Sequence, residues 1–348
     1  MNTYELEATA QALVSAGKGI LAADESFPTI KKRFDAINVP STEETRRAYR
    51  ELLFTTPGIE AFISGVILFD ETLRQRAQDG TPLPRVLSQN GIIPGIKVDK
   101  GAKNLAGFPG EKISEGLDGL RDRLAEYRDL GARFAKWRAV ITIGRGIPTQ
   151  ACIAANAHAL ARYAALCQEA GLVPIVEPEV LMDGDHDLER CEAVTTATLK
   201  HVFALLHEHR VLLEGTLLKP NMVIAGITNP NQACVSEVAS ATVRCMRRAV
   251  PAALPGIVFL SGGQSAIKAT EHLNAMNVLG DHPWELSFSY GRALQEPVLK
   301  AWQGEAANVP AAQAALYHRA RCNGAARYGQ YSQQMEKETV SAPGPVSA

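Results

Sequence analysis

The sequence carries no excess of either charge: 36 Lys and Arg stand against 37 Asp and Glu in 348 residues, a formal net of −1. Nucleic-acid proteins need a basic face or stripe, and the densest basic run here is Lys31-Lys32-Arg33. A nucleic-acid partner is therefore excluded. No apolar run reaches the roughly 18 residues that cross a bilayer, so no membrane partner is expected. The opening MNTYELEATA is acidic and lacks an apolar stretch, which predicts no secretory signal. Cysteine is scarce and scattered. The six (Cys152, Cys167, Cys191, Cys234, Cys245, Cys322) form no CxxC and no regular spacing, which suits reduced thiols in the cytoplasm rather than a disulfide framework. Gly (28) and Pro (19) are ordinary in number, which removes collagen-like and low-complexity chains. With 46% apolar and 21% charged residues, most of the chain must fold.

Short apolar segments that end in polar residues recur along the chain. They are Ile20–Asp24, Gly65–Phe69, Gly95–Asp99, Phe134–Val140, Pro174–Val180, Gly215–Asn221, Ile257–Gly263 and Leu286–Gly291. Each has the length and the flanks of a buried strand. Helical patterns lie between them, at Thr42–Phe54, Leu117–Leu130, Ala151–Gly171, Leu188–His209 and Ser236–Val250, with Gly131 and Gly171 placed as helix stops. Strands alternating with helices predict parallel pairing. Eight of them predict an α/β fold, a single (β/α)8 TIM barrel spanning 1–331 with an N-terminal helix. The polar, then Pro/Ser/Ala-rich stretch 332–348 is expected to be a flexible, disordered tail.

Several signatures fail. The first strand runs into Ala22-Ala23-Asp24-Glu25-Ser26 rather than a glycine-rich dinucleotide turn. Leu260-Ser261-Gly262-Gly263-Gln264 matches an ABC-ATPase loop, but no GxxxxGK[ST] accompanies it. Asp183, Asp185 and Asp187 have the spacing of a calcium loop, yet Leu188 and Val194 occupy its glycine and glutamate positions. His207 and His209 face different sides of a helix. No metal site is expected.

What stands out is charge inside strands. Lys136 and Arg138 are two apart and so share a strand face, as do Glu177 and Glu179. Lys97 and Asp99 pair a cation with an acid, and Lys219 ends an apolar segment. Lys and Glu are rarely buried unless paired. A purely structural ion-pair network in the barrel would account for these charges. Their position at the C-terminal ends of strands, where this fold builds active sites, favours catalysis. Pro178 and Pro220 fit a rim where ladder bonding is ending. Lys97, Lys136, Arg138, Lys219 and Arg292 would crowd one mouth and call for an anionic ligand. Ser261-Gly262-Gly263 and Ser289-Tyr290-Gly291-Arg292, after strands seven and eight, are placed to hold a phosphate. Ser26, Thr29 and Lys97 would hold a second across the mouth.

A free lysine, with pKa ~10.4, is protonated at neutral pH and is no nucleophile. Two ammonium groups ~5 Å apart at an effective dielectric of ~20 repel by about 3 kcal/mol, and burial adds to this. Lys219 facing Lys136 is thus expected to shed its proton readily enough to attack a carbonyl. Glu177, Glu179 and Asp24 would supply the acids and bases of imine chemistry. The residues predict a metal-free Schiff-base lyase acting on a bisphosphorylated sugar.

Together, Leu21-Ala22-Ala23-Asp24-Glu25-Ser26, Gly95-Ile96-Lys97-Val98-Asp99-Lys100-Gly101, Phe134-Ala135-Lys136-Trp137-Arg138, Val176-Glu177-Pro178-Glu179, Glu214-Gly215-Thr216-Leu217-Leu218-Lys219-Pro220-Asn221, Phe259–Ser265 and Ser289–Arg292 resemble class I fructose-bisphosphate aldolase from about residue 4 to 331. The resemblance implies cleavage of fructose 1,6-bisphosphate to dihydroxyacetone phosphate and glyceraldehyde 3-phosphate, without a cofactor, by a cytoplasmic homotetramer in glycolysis. It implies Lys219 as the imine-forming nucleophile and Glu177 as the proton carrier, assisted by Glu179 and Lys136. Asp24 would orient the hydroxyls and help deprotonate one, and Arg138 would hold the substrate. Ser261, Gly262, Gly291 and Arg292 would bind one phosphate, and Ser26, Thr29 and Lys97 the other. Two departures stand out. Animal members end in a tyrosine that reaches the site, whereas the last tyrosine here is Tyr331, so the tail is not expected to take that part. Thr29 replaces a serine and keeps the hydroxyl. The rival readings are a transaldolase-like Schiff-base enzyme, a non-catalytic barrel that binds a partner protein, and a metal-dependent aldolase.

Overall fold

In a computed structural model, which describes residues 2–338, eight parallel strands close into a barrel. They are β1 (Gly19–Ala23), β2 (Ile63–Leu68), β3 (Ile93–Lys97), β4 (Phe134–Ile141), β5 (Val173–Val180), β6 (Leu217–Leu218), β7 (Gly256–Phe259) and β8 (Glu285–Tyr290). Neighbours in the ring are neighbours in the chain, and β8 closes on β1 with Ile20 opposite Ser289. Each of the eight expected segments overlaps one strand. The largest difference is at β6, where the ladder spans two residues. Pro220 has no N–H to donate. Bonds of other kinds carry the chain onward: Lys219 N–H to the Val176 carbonyl (2.8 Å), Leu260 N–H to the Pro220 carbonyl (3.1 Å) and Val180 N–H to the Asn221 side chain (2.9 Å).

The helices start and stop where the sequence signals them. Thr42 caps the helix Glu43–Phe54 by accepting from Thr45 N–H at 3.1 Å. Gly131 and Gly171, both at positive φ, follow the helices Leu120–Asp129 and Gln150–Glu169. The sequence did not signal the hairpin of Ala102–Asn104 with Lys112–Ser114 or the outer helix Val309–Arg327. Residues 332–338 of the stretch expected to be a tail are described. Gln333–Lys337 form a 3-10 turn, and Arg319, 4% exposed, donates to both oxygens of Glu336. A buried guanidinium demands such a partner, and polar composition alone does not reveal it. Residues 339–348, the rest of that tail, lie outside the described residues.

Inside the barrel the lower layer is apolar. The helix Thr3–Leu13 plugs the N-terminal end, where Leu6, Ala10 and Leu13 pack with Ile20, Phe134, Ile175, Leu217 and Val258. Each fully buried Leu, Ile or Phe contributes about 1.5–3 kcal/mol. Close approach requires glycine at Gly65, where a Cβ would lie 2.6 Å from Leu13 Cδ2. One period up each strand the same face turns charged: Phe134 gives way to Lys136 and Arg138, Ile175 to Glu177 and Glu179, Leu217 to Lys219, and Ala22 to Asp24. The apolar floor excludes water beneath the site.

Candidate active site

Four charged side chains share the floor of the open end. Lys136 Nζ lies 2.7 Å from Asp24 Oδ2 and 3.2 Å from Glu177 Oε2, while Lys219 Nζ lies 3.1 Å from Glu177 Oε1. The Lys136, Glu177 and Lys219 side chains are about 95% buried. Glu177 therefore stands between two ammonium groups that the sequence alone sets face to face. Burial opposes charge on Lys136, but Asp24, Glu177 and Asp99 outweigh it and hold that ammonium far above the ordinary lysine range. Burial likewise opposes charge on Asp24, and Lys136, Lys219 and Lys97 outweigh it, holding the carboxyl well below the usual range. Lys136 and Asp24 are thus a locked ion pair. The nearest carboxylate to the Lys219 amine is Glu177.

All of the residues singled out from the sequence line one cavity of about 340 Å³. At one side, Ser261, Gly262 and Gly263 form the loop after β7, with Gly262 and Gly263 at φ +51° and +79°. A side chain at Gly263 would meet Met182 Sδ at 2.3 Å. Arg292, after β8, donates to the Gly263 carbonyl, so loops seven and eight form one cationic cradle with Gly291. Across the mouth Ser26 and Thr29 stand at the N-terminus of the helix Phe27–Asp35, their hydroxyls 3.2 Å apart, where backbone N–H groups favour an anion. Lys97 points to Asp99 at 2.7 Å, and Arg138 is paired with Glu179 between the two ends.

The cavity also holds Arg33, in the basic run set aside above, and Glu25, to which the sequence gave no role in the site. Ser289, expected there from the motif at the end of β8, keeps a buried hydroxyl with no partner. Arg33 owes its place to Glu25, which it shares with Arg50 (2.7 Å). Glu25 also accepts from Gln295 Nε2 at 2.7 Å, and the same nitrogen reaches the Ala22 carbonyl. Burial works against the Glu25 anion, but the two arginines overcome it and hold its carboxyl below the usual range, as an anion. The only signal was an Arg eight residues after an acid at the end of β1. Asp99 adds two backbone anchors, accepting from Gly101 and Arg138 N–H groups.

In this cavity Asp24, Glu177, Glu179 and Asp99 each face a lysine or arginine. Among the described residues His318, Cys322 and Glu336 have metal-type atoms within 4.8 Å of one another, but Arg319 already holds both oxygens of Glu336. The rejected calcium motif resolves into a cap, with Asp187 accepting from Arg190 N–H at 2.7 Å. No described helix is long and apolar enough to cross a membrane.

A profile of fructose-bisphosphate aldolase class-I matches residues 5–343. A probable fructose-bisphosphate aldolase class 1 of Xanthomonas campestris pv. campestris is 60% identical over 332 residues, covering 95% of this chain and 99% of that one. The cytosolic fructose-bisphosphate aldolase 4 of Arabidopsis thaliana is 55% identical over 332 residues, 95% of this chain and 84% of its own. The crystal structure of fructose-bisphosphate aldolase from Plasmodium falciparum, in complex with TRAP and a small-molecule inhibitor, superposes with a TM-score of 0.94 at 55% identity, over 94% of this chain and 95% of that one. The barrel, its lysine–carboxylate floor and these similarities agree: the chain belongs to the class-I fructose-bisphosphate aldolase family.

Proposed function

We propose that this lyase cleaves fructose 1,6-bisphosphate reversibly through an imine on Lys219. One observation carries the assignment: Lys219 Nζ lies 3.1 Å from a buried carboxylate that also contacts Lys136. Lys219 passes a proton to Glu177, and its free amine attacks the C2 carbonyl. Glu177 returns the proton to the departing hydroxyl as water leaves and the iminium forms. Glu177 then takes the C4 hydroxyl proton, the C3–C4 bond breaks, and its electron pair moves into the iminium to give an enamine. Glyceraldehyde 3-phosphate departs. Protonation at C3 and hydrolysis release dihydroxyacetone phosphate and the lysine. Lys136, fixed as a cation, stabilises negative charge as it develops. Asp24, fixed as an anion, accepts hydrogen bonds from substrate hydroxyls and is too weak a base to carry the proton alone.

C2 is bonded to the carbon that carries the 1-phosphate, so the cradle beside Lys219 (Ser261, Gly262, Gly291, Arg292) receives that phosphate. Ser26, Thr29 and Lys97 receive the 6-phosphate across the mouth, and Arg138 with Glu179 spans the sugar. The chemistry runs on an organic cation and needs no metal, so cleavage continues in chelator. The protein works in the cytoplasm in glycolysis, as the cytosolic plant relative suggests, and assembles as a homotetramer.

Borohydride added with dihydroxyacetone phosphate is expected to add the mass of the reduced adduct to the Lys219 peptide. Lys219→Met is expected to lose turnover and labelling with the fold retained. An unlabelled Lys219 peptide, or cleavage that stops in chelator, overturns the assignment. Fructose 6-phosphate cleaved as well as the bisphosphate favours the transaldolase-like alternative.

A further inference from the structure

A buried side-chain relay ends on the phosphate loop from outside the cavity. His272, on the helix Ala266–Val278, is 3% exposed. Its Nδ1 lies 2.5 Å from Gln264 Oε1, and Gln264 Nε2 donates to the Ser261 carbonyl at 2.9 Å. The direction of this relay is determined. An amide nitrogen that donates to a carbonyl leaves its oxygen as the acceptor, so His272 Nδ1 carries the hydrogen. Burial, and then Lys268, pushes the His272 ionisation down to about 4 against the pull of Glu271. The ring is therefore neutral, and its Nε2, which has no hydrogen-bond partner, is the bare nitrogen.

The Ser261 carbonyl also accepts the Gln264 N–H at 3.0 Å, so both of its lone pairs are occupied. A peptide unit is planar and trans, so its C=O and the next N–H point in opposite directions. The Ser261 carbonyl is drawn toward Gln264, which does not line the cavity, while Ser261 and Gly262 do. The Gly262 N–H is thereby turned into the cavity. Gly262, at positive φ, would otherwise let this peptide flip at little cost. We propose that His272 and Gln264 are positioning residues that aim the Gly262 N–H at the substrate's phosphate. The inference rests on the proposal that this loop receives the 1-phosphate.

The test follows borohydride-trapped imine against ligand concentration, for dihydroxyacetone phosphate and for unphosphorylated dihydroxyacetone. In His272→Leu the half-saturating concentration of the phosphorylated ketone should rise about tenfold, as expected for one lost hydrogen bond to an anion. Gln264→Leu cuts the relay at its other end and should do the same. His272→Asn, which can place an amide donor near the Nδ1 position, should recover most of the shift. The dihydroxyacetone curve should stay within about twofold in every variant, because that ligand has no phosphate to be aimed at. An unmoved phosphorylated curve in both leucine variants overturns the inference. So does an equal shift for both ketones, or an Asn variant that recovers nothing. Wild-type protein that traps neither ketone overturns the functional assignment instead.

Discussion

Lys136 is worth most where it cannot give up its proton. Three acids hold its ammonium, and it in turn helps hold Asp24 as an anion. Removing one member leaves a buried charge without its partner, a loss of about 3–5 kcal/mol. Lys136→Met should therefore lower both turnover, by about a hundredfold or more, and the urea midpoint. Lys219→Met should lower turnover alone, because Glu177 keeps Lys136. Comparing the two denaturation curves checks this. Acid should act on the fold in two stages. His272 ionises at about 4 in the fold against an ordinary 6.5. A depressed group contributes stability above its unfolded value that is lost as pH falls toward the folded one. Melting temperature should thus decline between pH 6.5 and 4, with at most about 3 kcal/mol at stake. His272→Leu should flatten that limb. Asp24, also depressed, keeps its contribution until pH drops below the ordinary carboxyl value of 3.8, so its share is lost later.

At the scale of elements, the barrel divides into a floor that supports and a mouth that reacts. The N-terminal helix seals the floor through Leu6, Ala10 and Leu13. A Cβ on Gly65 would press on Leu13 and lie 3.1 Å from the Phe134 ring. Gly65→Ala should therefore cost about 1–3 kcal/mol of stability by overpacking, while kcat stays near wild type because the clash lies a layer below Lys136. Urea unfolding with parallel kinetics tests both halves, and an equally large loss of kcat would show that the two layers are not independent. Strand and helix positions were legible because buried parallel strands are short apolar runs and helices carry caps and stops. The 3-10 turn Gln333–Lys337 gave no pattern, because the Arg319 that meets Glu336 lies on another helix. The hairpin after β3 gave no pattern either, since its first strand, Ala102–Asn104, is exposed along its length.

Across the whole molecule, a net charge of −1 coexists with a mouth lined by Lys97, Lys136, Arg138, Lys219, Arg33 and Arg292. Those six cations face five acids (Asp24, Glu25, Asp99, Glu177 and Glu179), and the positive excess would attract the proposed anionic substrate and be screened by salt. Raising monovalent salt from about 0.05 to about 0.5 M should raise KM for the bisphosphate severalfold and change kcat little; an unchanged KM would count against electrostatic capture. The sequence by itself determined the strand count, the parallel barrel, the ends of the strands where charge gathers and the lysines and acids that occupy them. These follow from period and burial, which are local properties of the chain. Tertiary structure alone decided that Glu177 separates the two lysines, that Arg33 is drawn into the mouth by Glu25, and that His272 turns a peptide of the phosphate loop. Each depends on distances between residues remote in sequence, and closure of the barrel is what sets those distances.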